Sequence, residues 1–355
     1  MHPLAPLFLS AVLDGRFRID AVRGSGNFGI VFRGFDLLRK RDVGIKVLAP
    51  TTVASIIDDF DVEDLLLRRL AGQSHVIDRI DSGVSDIALP GVPGATLPAR
   101  FIVMEFAPDS LIDVVINRSA VPLTERLQLW RDYAKGVHQC HLQHVVHRDL
   151  KAENGLLVPV PGLGQVANII DFGRARHVGT PPRRLANYDV PQGDMRYVPP
   201  ELLWQLGSDD PQHWLQVDLY MLGSVLYELV VGQGLTMTAL PVGVSAIPTR
   251  ASGMPRAVRQ AHFRGALGQL RQDYEVAYSL FDAAVPIPIR QPLSRVLRQL
   301  TDPQPERRAA AVRSVLSSTH IPWGLHHVLE TLDRIKYVLD TTGRTRRRRL
   351  HRKVG

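Results

Sequence analysis

The apolar positions near the beginning of the chain recur over short stretches bounded by turn residues. This pattern predicts β-strands, because strands alternate or cluster their apolar side chains over roughly four to eight residues. The predicted strands are residues 16–22, 30–35, 43–48 and 101–106. One helix is predicted among them at residues 60–70, where acidic residues come early and arginines late, as the helix dipole favours.

Helical spacing dominates after residue 107, which we take as the natural boundary between two parts of the chain. The predicted helices are residues 123–144, 257–281 and 292–300. Three prolines predict an irregular segment over residues 232–255. We therefore expect an α+β protein with residues 1–106 as an N-terminal lobe, residues 107–318 as a C-terminal lobe, and residues 319–355 as a C-terminal helix and basic tail.

Composition restricts the classes of protein to which the chain can belong. Apolar residues make up 45% and charged residues 22% of its 355 residues, which is typical of globular domains. Its one cysteine, Cys140, excludes an intrachain disulfide and a cysteine-rich metal site. Residues 1–13 lack a basic region and contain two prolines, so we interpret them as a segment that packs on the fold. We predict no membrane span and expect a cytoplasmic protein.

The net charge of +8 is concentrated at the end of the chain. Residues 344–353 include seven Lys or Arg and no acidic residue, whereas the rest of the chain is nearly neutral. Such a run can bind an anionic partner, either nucleic acid or a membrane surface. More often it is a solvated, disordered tail, and we favour that interpretation.

A glycine-rich turn lies between the first two predicted strands. Gly24, Gly26 and Gly29 are followed by Val31, in the pattern Gly-x-Gly-x-x-Gly-x-Val. Glycine lets a backbone approach phosphate oxygens without an intervening Cβ. A dinucleotide-binding turn uses the same pattern but leads into a helix, whereas this one leads into a strand. Alone, the pattern is a weak signal.

Lys46 lies inside the third predicted strand. A buried lysine is costly unless its charge is paired, and Glu63 on the following helix is available as a partner. Together they would hold a cation against the α- and β-phosphates of ATP. The alternative is an edge-strand lysine whose amine extends to water.

Two short motifs carry the strongest chemical signal. Residues 147–154 form the sequence His-Arg-Asp-Leu-Lys-Ala-Glu-Asn, and residues 171–173 form Asp-Phe-Gly. Phosphoryl transfer needs a carboxylate that orients a hydroxyl and accepts its proton, oxygen ligands for a metal, and cations on the phosphates. Asp149 is available as the carboxylate, and Asn154 and Asp171 are available as the metal ligands. Lys46 and Lys151 are available as the cations. Mg²⁺ prefers such hard oxygen ligands, and Mn²⁺ is the alternative.

In this order and at these spacings, the motifs resemble those of the eukaryotic-type protein kinase family, over about residues 16–311. Lys151, two residues after Asp149, is similar to the serine/threonine branch. The resemblance implies a bilobal fold, with a small antiparallel sheet and one main helix in the N-terminal lobe and a larger, mostly helical C-terminal lobe. It also implies transfer of the γ-phosphoryl group of Mg-ATP to a serine or threonine hydroxyl of a protein substrate, with Asp149 as the base.

The resemblance implies further roles outside the catalytic motifs. Met104 matches the gatekeeper, and Glu105 to Ala107 match the hinge whose backbone would bind adenine. Glu201 would close the activation segment on Arg307 or Arg308. Two matches with structural or regulatory roles in the family are the Phe172-Gly173 pair and Asp218, which would anchor the backbone of the catalytic loop.

A regulatory role is implied for Arg148, because related kinases pair this arginine with a phosphate on the activation loop. Thr180 is the candidate phosphorylation site. The alternative is that Thr180 is only a loop residue before a proline.

Two residues depart from the family pattern. Gly44 replaces the usual alanine over adenine, which should alter nucleotide packing slightly. Asp194 replaces a threonine near the catalytic aspartate. We expect the carboxylate of Asp194 either to repel Asp149 or to form a salt bridge with Lys151.

Several alternatives remain. The closely spaced histidines 138, 141, 144 and 147 could suggest a metal site, but a spacing of three drifts around a helix. A pseudokinase that acts as an ATP-binding scaffold would usually lose Lys46, Asp149 or Asp171, and all three are present here. A small-molecule phosphotransferase should lack the Pro-Pro-Glu motif and the helix of Asp218. A nucleic-acid-binding protein is supported by the basic run alone.

Overall fold

The structure is a computed structural model that describes residues 2–26, 29–50, 53–88, 92–162, 164–179, 194–208, 210–308 and 325–354. The chain separates into two compact units. The first contains Met1–Asp109 and Leu156–Ala175, and the second contains Ser110–Gly155 and Arg176–Gly355. The predicted domain boundaries at residues 106 and 318 stay predictions.

The first unit is built on a six-stranded antiparallel sheet. Its strands are β1 (Val12–Leu13), β2 (Phe17–Gly26), β3 (Gly29–Asp36), β4 (Arg41–Val47), β5 (Arg79–Ala88) and β6 (Thr96–Met104). Their order is β1-β2-β3-β4-β6-β5. All four predicted strands are confirmed, although β2 and β6 begin or end several residues away from the predicted bounds. Apolar side chains from one face form the core with the N-terminal segment, in which Ala5 and Phe8 are fully buried.

Helix α1 (Ala54–Arg69) follows β4 and confirms the predicted helix, but it begins six residues earlier than residue 60. Its first turn therefore contains no acidic residue, and the prediction that acids begin this helix was wrong. Arg68 and Arg69 do lie in the last turn, where a positive charge stabilises the helix dipole. Glu63 falls on the buried face of the helix, beside Phe60 and Leu66.

The second unit is mostly helical. After residue 106 the chain also forms the short strands β7 (Asp109–Ser110), β8 (Val145–Val146), β9 (Gly155–Val160), β10 (Gly164–Ile169) and β11 (Arg176–His177). The described helices are α2 (Leu111–Ile116), α3 (Leu123–Leu142), α4 (Pro200–Leu203), α5 (Pro211–Val231), α6 (Leu235–Ala239), α7 (Gly243–Ala251), α8 (Arg256–Ala284), α9 (Ile287–Thr301) and α10 (His326–Val354). The predicted α+β class is thus confirmed.

Helix α5 forms the core of the second unit. Every residue from 214 to 230 is buried, and Trp130 of α3 donates a hydrogen bond to its Leu222 carbonyl at 3.0 Å. Among the described helices, α5 alone is long and apolar enough to cross a membrane, but 94% of its 18-residue apolar stretch is buried inside the protein. Core helices pass the same test, so this is weak evidence for a membrane span.

Two regions differ from their predicted structure. Residues 232–255 contain helices α6 and α7, with Pro248 inside α7, so the predicted irregular segment was wrong. The side chain of Gln205 donates to the Pro248 carbonyl at 3.3 Å, a tertiary contact that compensates part of the weakness of this helix. The backbone of the basic run 344–353 is helical in α10, where we favoured a disordered tail. The anionic partner of this run stays a prediction.

Candidate active site

The glycine-rich turn joins β2 to β3, and its residues 27 and 28 lie outside the described part of the chain. Gly26 pairs with Gly29 across the hairpin, and Gly24 pairs with Val31. The φ angle of Gly29 is 138°, and a Cβ at this position would collide with the Val47 carbonyl on β4. Gly29 is therefore required by its backbone conformation and by its close approach to β4.

Lys46 of β4 is the centre of the charged cluster in the first unit. Its Nζ donates to both carboxylate oxygens of Glu63, at 2.8 and 2.7 Å, and to Oδ1 of Asp171 at 2.9 Å. The Lys46 and Glu63 side chains are 7% and 1% exposed. Burial alone would lower the pKa of Lys46, but the charges of Asp171 and Glu63 raise it above its ordinary value. Lys46 is therefore cationic at neutral pH, and it is not an edge-strand lysine.

The Asp-Phe-Gly motif holds Asp171 in an uncommon backbone conformation. Asp171 has φ 64° and ψ 75°, in the left-handed region that non-glycine residues rarely adopt. Phe172 is fully buried, and its backbone N–H donates to Glu63 on α1. This contact places the carboxylate of Asp171 beside Lys46. Strained backbone of this kind clusters at functional sites.

The segment with the predicted hinge follows β6. Met104 pairs with Gly44, and the backbone N–H of Glu105 donates to the Asp78 carbonyl at 2.9 Å. A Cβ on Gly44 would lie 3.3 Å from both the Glu105 carbonyl oxygen and Cγ of Met104, which is tighter than ordinary contact. Gly44 therefore lets β4 pack directly against the Met104–Glu105 backbone. Ala107 is buried at the end of this segment.

In the second unit, Asp149 is held by its own loop. Nζ of Lys151 donates to Asp149 at 3.1 Å. Nδ2 of Asn154 donates to the Asp149 carbonyl at 2.8 Å, which fixes the amide and points its oxygen the other way. The hydroxyl of Tyr133 on α3 donates to the Lys151 carbonyl at 3.2 Å. These bonds join Asp149, Lys151 and Asn154 into one rigid loop.

Asp218 of α5 anchors the same loop from below. Its carboxylate accepts the backbone N–H groups of His147 and Arg148, at 2.8 and 2.7 Å, and lies 2.9 Å from Nε2 of His141. Asp218 is fully buried, so these bonds replace the water that its charge has lost. The geometry is the anchor that the resemblance implied. Arg148, like Asp171, has a positive φ, of 67°.

The histidines have structural partners. His141 contacts Asp218, and Nδ1 of His138 accepts the backbone N–H of Leu325 at 3.1 Å. No group of three or more metal-binding side chains is found among the described residues. The Arg148 guanidinium lies 3.8 Å above the ring of Trp214, a cation–π contact. The candidate phosphorylation site, Thr180, lies outside the described residues.

The expected repulsion of Asp149 by Asp194 stays a prediction, whereas the structure gives Asp194 a partner that neither expectation included. Its carboxylate binds Arg196, with Nη2 at 2.7 Å and Nε at 3.1 Å, and no salt bridge to Lys151 is found. Arg196 also binds Glu228 at 3.1 Å and contacts Glu153. The sequence reasoning missed Arg196. The signal was an arginine two residues after the unusual aspartate, close enough to return to it within one turn.

Glu201, in the first turn of α4, pairs with Arg308, one of the two partners that the sequence left open. Nη1 and Nη2 of Arg308 donate to the two carboxylate oxygens at 2.7 and 2.9 Å. Burial would lower the pKa of Arg308, but Glu201 raises it. The neighbouring Arg307 lies 3.9 Å from Asp302 and is largely exposed. The motif Pro-Pro-Glu is thus tied to the segment that follows α9.

Comparison with known proteins gives the same family. The protein kinase domain model matches residues 17–318. The serine/threonine-protein kinase PknA of Corynebacterium glutamicum is 28% identical over 63% of this chain and 45% of its own length. The kinase pkn2 of Myxococcus xanthus is 30% identical over 63% of this chain and 25% of its own length. Serine/threonine-protein kinase A of Synechocystis sp. is 27% identical over 62% of this chain and 42% of its own length.

The chain spans less than half the length of each of these relatives in the matched region. The family model nevertheless covers most of the chain, from the first long strand to beyond Arg308. It includes the glycine-rich turn and both charged motifs, whose geometry is described above. The chain therefore belongs to the protein kinase domain family.

Proposed function

We propose that this protein is a serine/threonine kinase that transfers the γ-phosphoryl group of ATP to a hydroxyl of a protein substrate. The observation that carries the proposal is the buried Lys46, which bonds both Glu63 and Asp171. A lysine is held there in a fixed position and a charged state, as required for binding phosphate oxygens. A protein that binds no ATP would not need this costly buried charge.

Asp149 is the group that we assign to the proton transfer. Its carboxylate would orient the substrate hydroxyl and accept the proton as the oxygen attacks phosphorus. Lys151 lies 3.1 Å from this carboxylate and would also contribute positive charge to the transferred phosphoryl group. The bond from Asn154 to the Asp149 carbonyl and the anchor at Asp218 hold the loop before substrate arrives. Such preorganisation lowers the cost of reaching the transition state.

The family implies a divalent metal ion, and each unit carries one side chain whose chemistry suits such an ion. The amide of Asn154 donates through nitrogen to its own loop, which leaves its oxygen as the ligand atom. Asp171 keeps 37% of its side chain exposed, so its carboxylate reaches solvent although it contacts Lys46. A carboxylate and an amide oxygen are hard ligands that suit Mg²⁺. When bound, the ion would neutralise charge on the phosphates.

The glycine-rich turn and the Met104–Ala107 segment are the proposed nucleotide-binding elements. Gly29 lies close to the backbone of β4, the strand that carries Lys46. The serine/threonine preference is supported by Lys151 and by the relatives, all three of which carry the name serine/threonine-protein kinase.

An assay with radiolabelled ATP and generic protein substrates tests the proposal. The wild-type protein should transfer label to serine and threonine, as shown by phosphoamino-acid analysis. Asp149→Asn and Lys46→Met should each lower kcat/KM by about 10²–10⁴-fold, the usual effect of removing a proton acceptor or a charge stabiliser. Lys135→Met, at a half-buried lysine of α3 that belongs to neither motif, is the matched control.

Binding of ATP without transfer would support the pseudokinase alternative and overturn the enzyme assignment. Transfer to tyrosine alone would overturn the serine/threonine preference and leave the kinase assignment intact. Activity that survives both Asp149→Asn and Lys46→Met would show that these motifs do not carry the reaction.

A further inference from the structure

The guanidinium of Arg196 binds three carboxylates that belong to three parts of the second unit. Nη2 donates to Asp194 at 2.7 Å, Nη1 donates to Glu228 at 3.1 Å, and Nη2 also contacts Glu153. Asp194 belongs to the chain segment that leads into α4, Glu228 to the last turns of α5, and Glu153 to the catalytic loop. Arg196 therefore joins the loop of Asp149 to two other elements.

Only arginine can make this set of contacts. Its planar guanidinium presents donors in several directions, whereas the ammonium of lysine is a compact point charge. The Arg196 side chain is 25% exposed and Glu228 is 3% exposed, so water screens these pairs less than it screens a surface salt bridge. The hydrogen bonds that Arg196 donates to Asp194 are the main reason that the pKa of Arg196 is raised. The arginine stays charged at any pH at which the protein is folded.

Neighbouring residues fix the position of Arg196. The Tyr197 hydroxyl accepts the backbone N–H of Ala152 at 3.2 Å and donates to Glu228, which adds a second link between the same elements. A Cβ on Gly234 would lie 2.6 Å from Cβ of Arg196, so the start of α6 packs directly on the arginine backbone. Such a close approach leaves little freedom for Arg196 to move.

The electrostatic consequence concerns Lys151. Burial opposes the ionisation of Asp194, but the hydrogen bonds from Arg196 and the charge of Lys151 together lower its pKa. Asp194 is thus within electrostatic reach of the lysine that binds Asp149. Without Arg196, the carboxylate of Asp194 would compete with Asp149 for Lys151.

We propose that Arg196 is a positioning residue for phosphoryl transfer, which holds the catalytic loop through Glu153 and keeps Asp194 away from Lys151. The inference rests on the proposed function. It explains why this chain has an aspartate at position 194: the carboxylate has its own cation two residues later. The unusual aspartate and the arginine are a matched pair, and the harmful change is to lose the arginine alone.

The experiment compares the wild-type protein with Arg196→Gln, Asp194→Thr and the double variant. In Arg196→Gln we expect kcat to fall about 10²-fold, the loss that a displacement of about 1 Å can cause, while KM for ATP changes little. Asp194→Thr alone should keep most of the activity. The double variant should be about tenfold faster than Arg196→Gln, because its residue 194 no longer competes for Lys151. A residue with only a structural role would not give this recovery.

Arg298→Gln is the matched control. Arg298 also pairs with two carboxylates, Glu275 and Asp282, but these lie on α8. Its loss should leave kcat unchanged. Thermal unfolding of each variant, followed by circular dichroism, separates lost activity from lost fold. If Arg196→Gln does not fold, Arg196→Met, which also removes the positive charge, replaces it in both the single and the double variant, with the same expected order of rates.

Two results would overturn the inference. One is an Arg196→Gln protein with wild-type kcat, and the other is a double variant no faster than Arg196→Gln. These results differ from failure of the proposed function, in which the wild-type protein itself transfers no phosphoryl group and both proposals are lost. An active wild-type protein whose variants show the predicted order supports both.

Discussion

The two units compensate their buried charges in different ways. In the first unit, Lys46 contacts two carboxylates, Glu63 and Asp171, and Asp171 is 37% exposed. In the second unit, Arg308 and Glu201 form a bidentate pair in which the side chains are 0% and 2% exposed. The first cluster includes a carboxylate that reaches solvent, whereas both side chains of the second pair are buried.

This difference separates groups that serve a reaction from groups that serve the fold. A cluster whose carboxylate reaches solvent can still contact a bound cation or substrate. The buried Glu201–Arg308 pair has no exposed group left for a ligand, so its role is to hold one segment of the chain against another. If the distinction is correct, breaking the Glu201–Arg308 pair should lower the free energy of unfolding. Breaking the Lys46 cluster should lower the rate of catalysis at nearly constant stability.

The largest effect is expected for Arg308→Met. The variant leaves the buried carboxylate of Glu201 without its partner, so the free energy of unfolding should fall by about 3–5 kcal/mol. Urea unfolding of the full chain measures this loss. Arg307→Met is the control, because that neighbouring arginine is 58% exposed and its loss should change stability by less than about 0.5 kcal/mol.

A second variant at the same pair distinguishes charge from packing. Replacing Glu201 by leucine in the Arg308→Met background removes both charges, and apolar replacements of a whole buried pair are often neutral. We expect this double variant to recover most of the lost stability. An Arg308→Met protein as stable as the wild type would contradict the view that this pair serves the fold.

The next effect is expected for Glu63→Gln, which opens the cluster of the first unit. Lys46 would keep Asp171 but lose its two bonds to Glu63, so we expect kcat/KM for ATP to fall by about 10–10²-fold, as for loss of one charged contact in a transition state. The free energy of unfolding should change by less than about 1 kcal/mol, because a buried carboxylate is itself costly.

Asp64→Asn is the control for Glu63→Gln on the same helix. Asp64 pairs with Arg68 and Arg79 on the partly exposed side of α1, away from Lys46. Its loss should leave the kinetics unchanged. Equal losses of activity in the two variants would show that α1 as a whole, and not the Glu63–Lys46 pair, determines the rate.

The sequence predicts the Lys46 cluster better than it predicts the contacts of Arg196, for a physical reason. Lys46 is conspicuous in its apolar strand, and the motif residues Asp149 and Asp171 lie in short patterns that chemistry constrains. Arg196 has no such pattern, because its importance depends on a turn in which the Tyr197 N–H donates to the Asp194 carbonyl at 2.9 Å. Glu228, the third partner, comes from a distant helix that spacing within the segment does not reveal.

Secondary structure shows the same limit. Local pattern predicts the long helices α3 and α8 nearly to their ends, because apolar periodicity is strong there. It fails for α7, where Pro248 argues against a helix and only tertiary contacts decide. The N-terminus of α1 was also missed, because residues before Phe60 bury little and have weak periodicity.

The smallest effect concerns pH and the contact between α3 and α10. Burial, followed by the charges of His326 and His141, lowers the pKa of His138 from 6.5 to about 4. His138 accepts the Leu325 N–H through Nδ1, which a protonated ring cannot do. Between these two pKa values the unfolded chain binds more protons than the folded one, so stability is complete above pH 6.5 and falls as the pH drops toward 4.

Replacing His138 by glutamine removes this proton and keeps an acceptor for Leu325. The difference in unfolding free energy between the wild type and His138→Gln should therefore change as the pH falls from 7.5 to 5, by at most about 1.4 kcal/mol per pH unit, the limit for one proton. Urea unfolding at several pH values measures it, with the exposed His262→Gln as control. A constant difference across this range would mean that protonation of His138 does not destabilise the contact between α3 and Leu325.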